Sequence, residues 1–174
     1  MSHRSNWSRR ETLRTGAIVS GGLLSGASAA GIAVAKEKRN FRTHLSGDEE
    51  VDAVETDAQG QATFQLDKAG DELRYRLIVA NIDDVSMAHI HSAPAGSNGP
   101  AVAWLYPEGG SSPELIPGRF DGVLAEATLT ADDLVGPLDG GTMNDLVALL
   151  RAGGAYVNVH TEAHPGGEVR GQIR

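Results

Sequence analysis

From Phe41 onward, apolar and polar residues alternate in short runs separated by Gly, Asp, Asn and Pro. Such runs are strands with one buried face, and their spacing predicts an all-β antiparallel sandwich or barrel. The clearest alternation is Glu72–Asn81, where Leu73, Tyr75, Leu77 and Val79 share a face, because side chains along a strand point to opposite sides in turn. Phe41–Ser46 and Gln61–Leu66 read as two earlier strands, with Val51–Thr56 as a weaker extended run and Lys68–Asp71 as a turn. Asp83-Asp84 reads as a solvated turn after the Glu72–Asn81 strand, its acidity short of the oxygen set that Ca²⁺ requires. Val85–His91, Ala101–Tyr106, Arg119–Thr128, Tyr156–His160 and Glu168–Ile173 follow as strands. Gly- and Pro-rich stretches over 94–100, 108–118 and 165–167 read as loops.

Two helical signals interrupt the β pattern. Thr130 opens a single turn through Leu134. Thr142-Met143-Asn144-Asp145 resembles a capping box with Asp in place of Glu. Met143, Leu146, Leu149 and Leu150 then recur at helical spacing and Gly153-Gly154 ends the run, which predicts one short helix of about ten residues.

The period-two rule has a chemical consequence at two places. In Ala88-His89-Ile90-His91 both histidines project from one face, with Ala88 and Ile90 on the other. In Tyr156-Val157-Asn158-Val159-His160-Thr161, Asn158 and His160 share a face while Val157 and Val159 take the apolar one. If the two strands are neighbours, three imidazoles converge. His89, His91 and His160 are thus candidate metal ligands, and imidazole suits copper, zinc or nickel. Copper and zinc are the ions expected. His164, in the loop after His160, is a candidate fourth ligand if it swings back, and Glu162 and Glu168 are further ones. The competing reading makes the histidines structural, donating to backbone carbonyls or to Asn158 and Glu168. Glu168, Arg170 and Gln172 share a face and read most simply as a polar cross-strand ladder with Asn158 and His160.

The first 35 residues stand apart. Ser8-Arg9-Arg10-Glu11-Thr12-Leu13-Arg14 is a twin-arginine pattern, followed by a weakly apolar stretch from Gly16 to Ala35. Ala33-Val34-Ala35 reads as a cleavage site, with Ala27-Ser28-Ala29 as a second choice and an uncleaved anchor as the alternative. The expected organisation is an export signal over 1–35 and one domain over 36–174, secreted or held at the cell surface, with no membrane insertion once the signal is removed. Residues 1–35 hold four Arg and one Glu, so the remainder carries eleven basic and twenty-two acidic side chains, a net charge of −11. That surface argues against nucleic acid and anionic membrane as partners and reads as one suited to high salt. No cysteine occurs, which removes disulfides and thiolate ligands from consideration.

Ala88–His91, Gly96–Pro100, Tyr156–Thr161 and Pro165–Ile173 together resemble the CHRD domain, first described in chordin. Leu45–Val51 and Thr56–Gly60 resemble that domain's first strands, although Asp52-Ala53 stands where the family usually has prolines. The resemblance spans roughly residues 41–174. It implies a secreted β-sandwich, Greek-key and immunoglobulin-like or a superoxide-dismutase-like barrel. In chordin, tandem copies belong to a protein that binds extracellular growth factors, whereas single microbial copies have no settled biochemical role.

Three functions are therefore weighed. One is metal binding at the histidines. The second is a redox enzyme of superoxide-dismutase type, disfavoured because the chain lacks the cysteine, the bridging histidine and the zinc loop usual there. Hydrolysis is no better supported, since neither a Gly-x-Ser-x-Gly elbow nor a cysteine nucleophile occurs, and no catalytic residue is assigned. The third is an interaction or adhesive module whose loops, Ser92–Pro100 and Pro107–Gly118, meet an extracellular protein or a surface polymer, with Trp104 or Tyr106 as anchor.

Overall fold

The computed structural model describes residues 37–174; the expected export signal and its cleavage sites lie outside them. The elements are β1 (Asn40–Ser46), β2 (Gln59–Leu66), β3 (Leu73–Ser92), β4 (Ala101–Tyr106), β5 (Ile116–Leu129), α1 (Met143–Arg151), β6 (Ala155–Thr161) and β7 (Val169–Gln172). Every strand pairing is antiparallel, in the order β2-β1-β7-β6-β3-β4, with β5 on β3. An additional β2–β3 pairing closes the path into a barrel-like β-sandwich.

The 20-residue β3 belongs to both halves of the barrel. Its first half lies between β2 and β5, and its second half between β6 and β4. Asn81 and Asp84 interrupt it with left-handed φ values of 59° and 51°. Asn81 falls within the register shift on β5 between Val79 and Ile82 and Asp84 within that between Asp83 and Val85, and a further shift against β6 follows between Val85 and Met87. Bulges of this kind bend a strand and change which residues face inward. Buried positions accordingly run Leu73, Tyr75, Leu77, Val79, then Ile82, Val85, Ala88 and Ile90. The turn expected at Asp83-Asp84 is thus a bulged strand. Asp84 earns its place by accepting the Gly118 N–H at 2.6 Å, which seals the seam with β5.

The core is filled by the inward faces of all seven strands together with Met143, Leu146, Val147 and Leu150 of α1. Thr142 and Asp145 form the reciprocal capping box expected at the helix start. Three expectations are corrected. Val51–Thr56 forms no strand; it is an irregular connection in which Thr56 donates to Glu168. The segment expected as a loop before Arg119 already pairs with β3 from Ile116. Glu168 does not join a ladder with Asn158 and His160, because its two carboxylate oxygens accept from Thr56 and Thr161 at 2.7 and 2.8 Å.

Candidate metal centre

The histidines lie on the face of the second half-barrel that points away from the apolar core. Ala88, Ile90, Val157, Val159 and Val169 turn inward. Their alternates, His89, His91, Tyr156, Asn158, His160 and Arg170, turn outward by the strand period, yet Tyr156, Asn158 and Arg170 are no more than 2% exposed. Two loops roof this face. The 93–100 loop reaches it through Asn98, Ser97 and Pro94, which accept from Arg170. The hairpin after β6 reaches it through Pro165, whose carbonyl bonds His160. A sheet face that would otherwise be solvated has become a second, polar interior.

Strand register brings the rings together: β6 pairs with β3 so that His160 opposes Met87, Asn158 opposes His89 and Tyr156 opposes His91. One nitrogen from each of His89, His91 and His160 lies within 4.8 Å of the other two. His164 is not part of this group. Its backbone serves the hairpin, its carbonyl accepting from Thr161 and Gly167. Glu162 is exposed and Glu168 is committed to its two threonines.

The hydrogen bonds decide which ring nitrogens are free. His91 Nδ1 is 2.9 Å from the Gly99 carbonyl and His160 Nδ1 is 3.0 Å from the Pro165 carbonyl. A carbonyl can only accept, so each Nδ1 carries its proton and each Nε2 presents a lone pair. This is the arrangement that orients histidine ligands in metal sites, the second nitrogen being held by a backbone carbonyl. His89 Nδ1 lies 3.2 Å from His160 Nε2. Nitrogens bound at 2.0–2.1 Å around one tetrahedral ion are separated by about 3.4 Å, close to that value. Nε2 of both His89 and His91 is buried without any partner, which costs free energy in a protein interior.

Burial also keeps the rings neutral. His89 is pushed down to about 3, by desolvation first and then by the neighbouring His160 and His91. His160 is pushed down to about 4 by desolvation and His91, against the opposing bond to Pro165. His91 is lowered by burial and, more weakly, by Arg170, with the Gly99 bond opposing. All three are therefore unprotonated at neutral pH, the form a metal requires.

Aromatic rings fix the positions. Trp104 packs edgewise on His89 with centroids 4.2 Å apart, and Tyr156 stacks on His91 at 5.0 Å with 11° between planes. The Arg170 guanidinium lies 3.4 Å from the Tyr156 ring centroid. Sequence reasoning offered Trp104 or Tyr106 as an anchor, with at least one of them core, and Arg170 as part of a ladder; it allowed backbone carbonyls as partners of the histidines without placing them, and it missed Tyr156. Only the strand period pointed to Tyr156, since it lies two residues before Asn158. The carbonyl partners depend on loop conformation and carry no side-chain signal.

The CHRD domain family model matches residues 41–173, which span all seven strands and the three histidines. No curated protein matches the chain.

Proposed function

The chain belongs to the CHRD domain family, and from that premise we propose that it is an exported binding module that holds copper or zinc through His89, His91 and His160. The observation that carries this reading is the convergence of three neutral imidazoles, two with Nδ1 fixed by backbone carbonyls and one of these, His91, with a buried, unpartnered Nε2. A cation bound by Nδ1 of His89 and Nε2 of His91 and His160 would satisfy the buried lone pair of His91. It would replace the hydrogen bond in which His89 Nδ1 donates to His160 Nε2, the His89 ring proton then residing on Nε2. Three protein ligands leave a position for water or an external ligand, so the bound ion would supply Lewis acidity or, for copper, electron exchange. Export is supported by the twin-arginine pattern at Arg9-Arg10, a route compatible with loading metal before secretion.

Calorimetric titration of the metal-free protein with Zn²⁺ and Cu²⁺ tests the reading. One equivalent is expected to bind, and metal at a hundred times its dissociation constant is expected to stabilise the fold by about 2.7 kcal/mol. His91→Ala and His160→Ala should each abolish that gain. Heat uptake that persists in a His89→Ala, His91→Ala, His160→Ala protein would refute the assignment.

A further inference from the structure

We infer that the outer face of the β1–β2–β3 sheet is a docking groove for a linear acidic polysaccharide, one bearing carboxylate or sulfate groups along its length. This inference is independent of the histidine site, which lies on the other half of the barrel.

The domain is acidic, yet its cations are gathered in one place. Of the eleven basic side chains after residue 35, Lys38, Arg42, Arg74, Arg76 and Arg174 line a single open groove of about 740 Å³, in which Glu126 is the one acidic side chain. Arg39 and Lys68 line an adjoining groove that shares Lys38 and Arg74 with the first. Two of the three acidic groups there are already engaged: Asp67 accepts four backbone N–H groups of its own turn, and Glu37 pairs with Arg151. Among the described residues, Arg76 is the only one of these seven cations held in an ion pair, with Glu126 at 3.4 Å. Arg42, Arg74 and Arg174 are exposed and unpaired.

Strand register explains the layout. Arg42, Thr63, Arg76 and Glu126 form one cross-strand row, and Asn40, Gln65, Arg74 and Thr128 the next. Arg74 and Arg76 are thus about 7 Å apart along β3, and Arg42 stands two strands, or about 10 Å, from Arg76. Amide and hydroxyl side chains lie between the guanidinium groups. Guanidinium forks match carboxylate and sulfate oxygens, and Asn40, Gln65 and Thr63 offer both donors and acceptors to sugar hydroxyls. The groove walls expose no aromatic ring for base stacking, since Phe41, Phe64 and Tyr75 are at most 2% exposed, which disfavours single-stranded nucleic acid. A flat anionic bilayer would meet the acidic remainder of the surface as well as the groove, whereas a linear chain can follow the row of cations.

The test is calorimetric titration in dilute buffer with polygalacturonate, beside neutral dextran, phosphatidylglycerol vesicles and oligothymidylate. Polygalacturonate is expected to bind and to weaken as salt is added. An Arg42→Gln, Arg74→Gln, Arg76→Gln protein is expected to bind roughly tenfold more weakly or worse, a loss of about 1.4 kcal/mol, with an unchanged circular dichroism spectrum. Arg119→Gln, on β5 and outside both grooves, should bind as wild type. Failure to bind polygalacturonate, equal binding of dextran, tighter binding of vesicles or oligothymidylate, or indifference to the triple substitution would each overturn the inference.

Discussion

His89 is 5% exposed and flanked by two other imidazoles, and both conditions oppose its protonation. In the unfolded chain it ionises near 6.5, in the folded one at about 3, while His160 moves to about 4. Between these values the unfolded state binds more protons, so stability rises with pH across that window. The metal-free protein is therefore expected to show full stability above about pH 6.5 and to lose it progressively as pH falls toward 4 and then 3. Urea denaturation at stepped pH checks this, and a midpoint that stays flat between pH 6.5 and 5 would contradict it. Arg170 poses the opposite problem, a guanidinium that is 1% exposed. It is tolerated because Tyr156 lies beneath it and three groups of the 93–98 segment accept from it. Arg170→Met should cost about 2–4 kcal/mol in urea denaturation and should raise hydrogen exchange across that loop. The histidines and Asn158 were legible from strand period alone. The meaning of Arg170 was not, because its partners are carbonyls and an amide from a loop some 70 residues earlier.

At the scale of elements, alternation located the strands well where one face is apolar and the other wet. It failed where a strand bends. The two left-handed residues in β3 let one strand serve both halves of the barrel, and in sequence Asn81 and Asp84 look like ordinary turn residues. Without the shifts, His89 and His91 would fall on the face of Leu73 and Tyr75 and enter the apolar core. The bulges therefore set the orientation of the site as much as the histidines themselves do. The junction of β1 and β7 is the thinnest seam, with Ser46 opposite Arg170 as its single ladder pair and two backbone bonds between Arg42 and Arg174. Gly171 lies against it, and a Cβ there would collide with the His44 carbonyl and the Thr43 hydroxyl. Gly171→Ala is expected to lower stability by at least about 2 kcal/mol, because backbone and side chain must both move apart. Thermal unfolding measures this, and a wild-type melting temperature would show that the seam is looser than described.

At the scale of the whole molecule, the barrel carries two specialised surfaces on opposite halves. One is the roofed histidine face over β3, β6 and β7, the other the arginine-bearing face of β1, β2 and β3. Net charge alone, −11 after residue 35, concealed the second, because composition sums over a surface that strand pairing sorts. The central claim concerns the first. Its most direct test is the metal content, by mass spectrometry, of untagged protein purified from the exported fraction of its own cells. The account predicts close to one copper or zinc ion per chain, absent when His89, His91 and His160 are all replaced by alanine. Protein that leaves the cell without metal and takes up none on titration would contradict it, and the three imidazoles would then be a structural cluster.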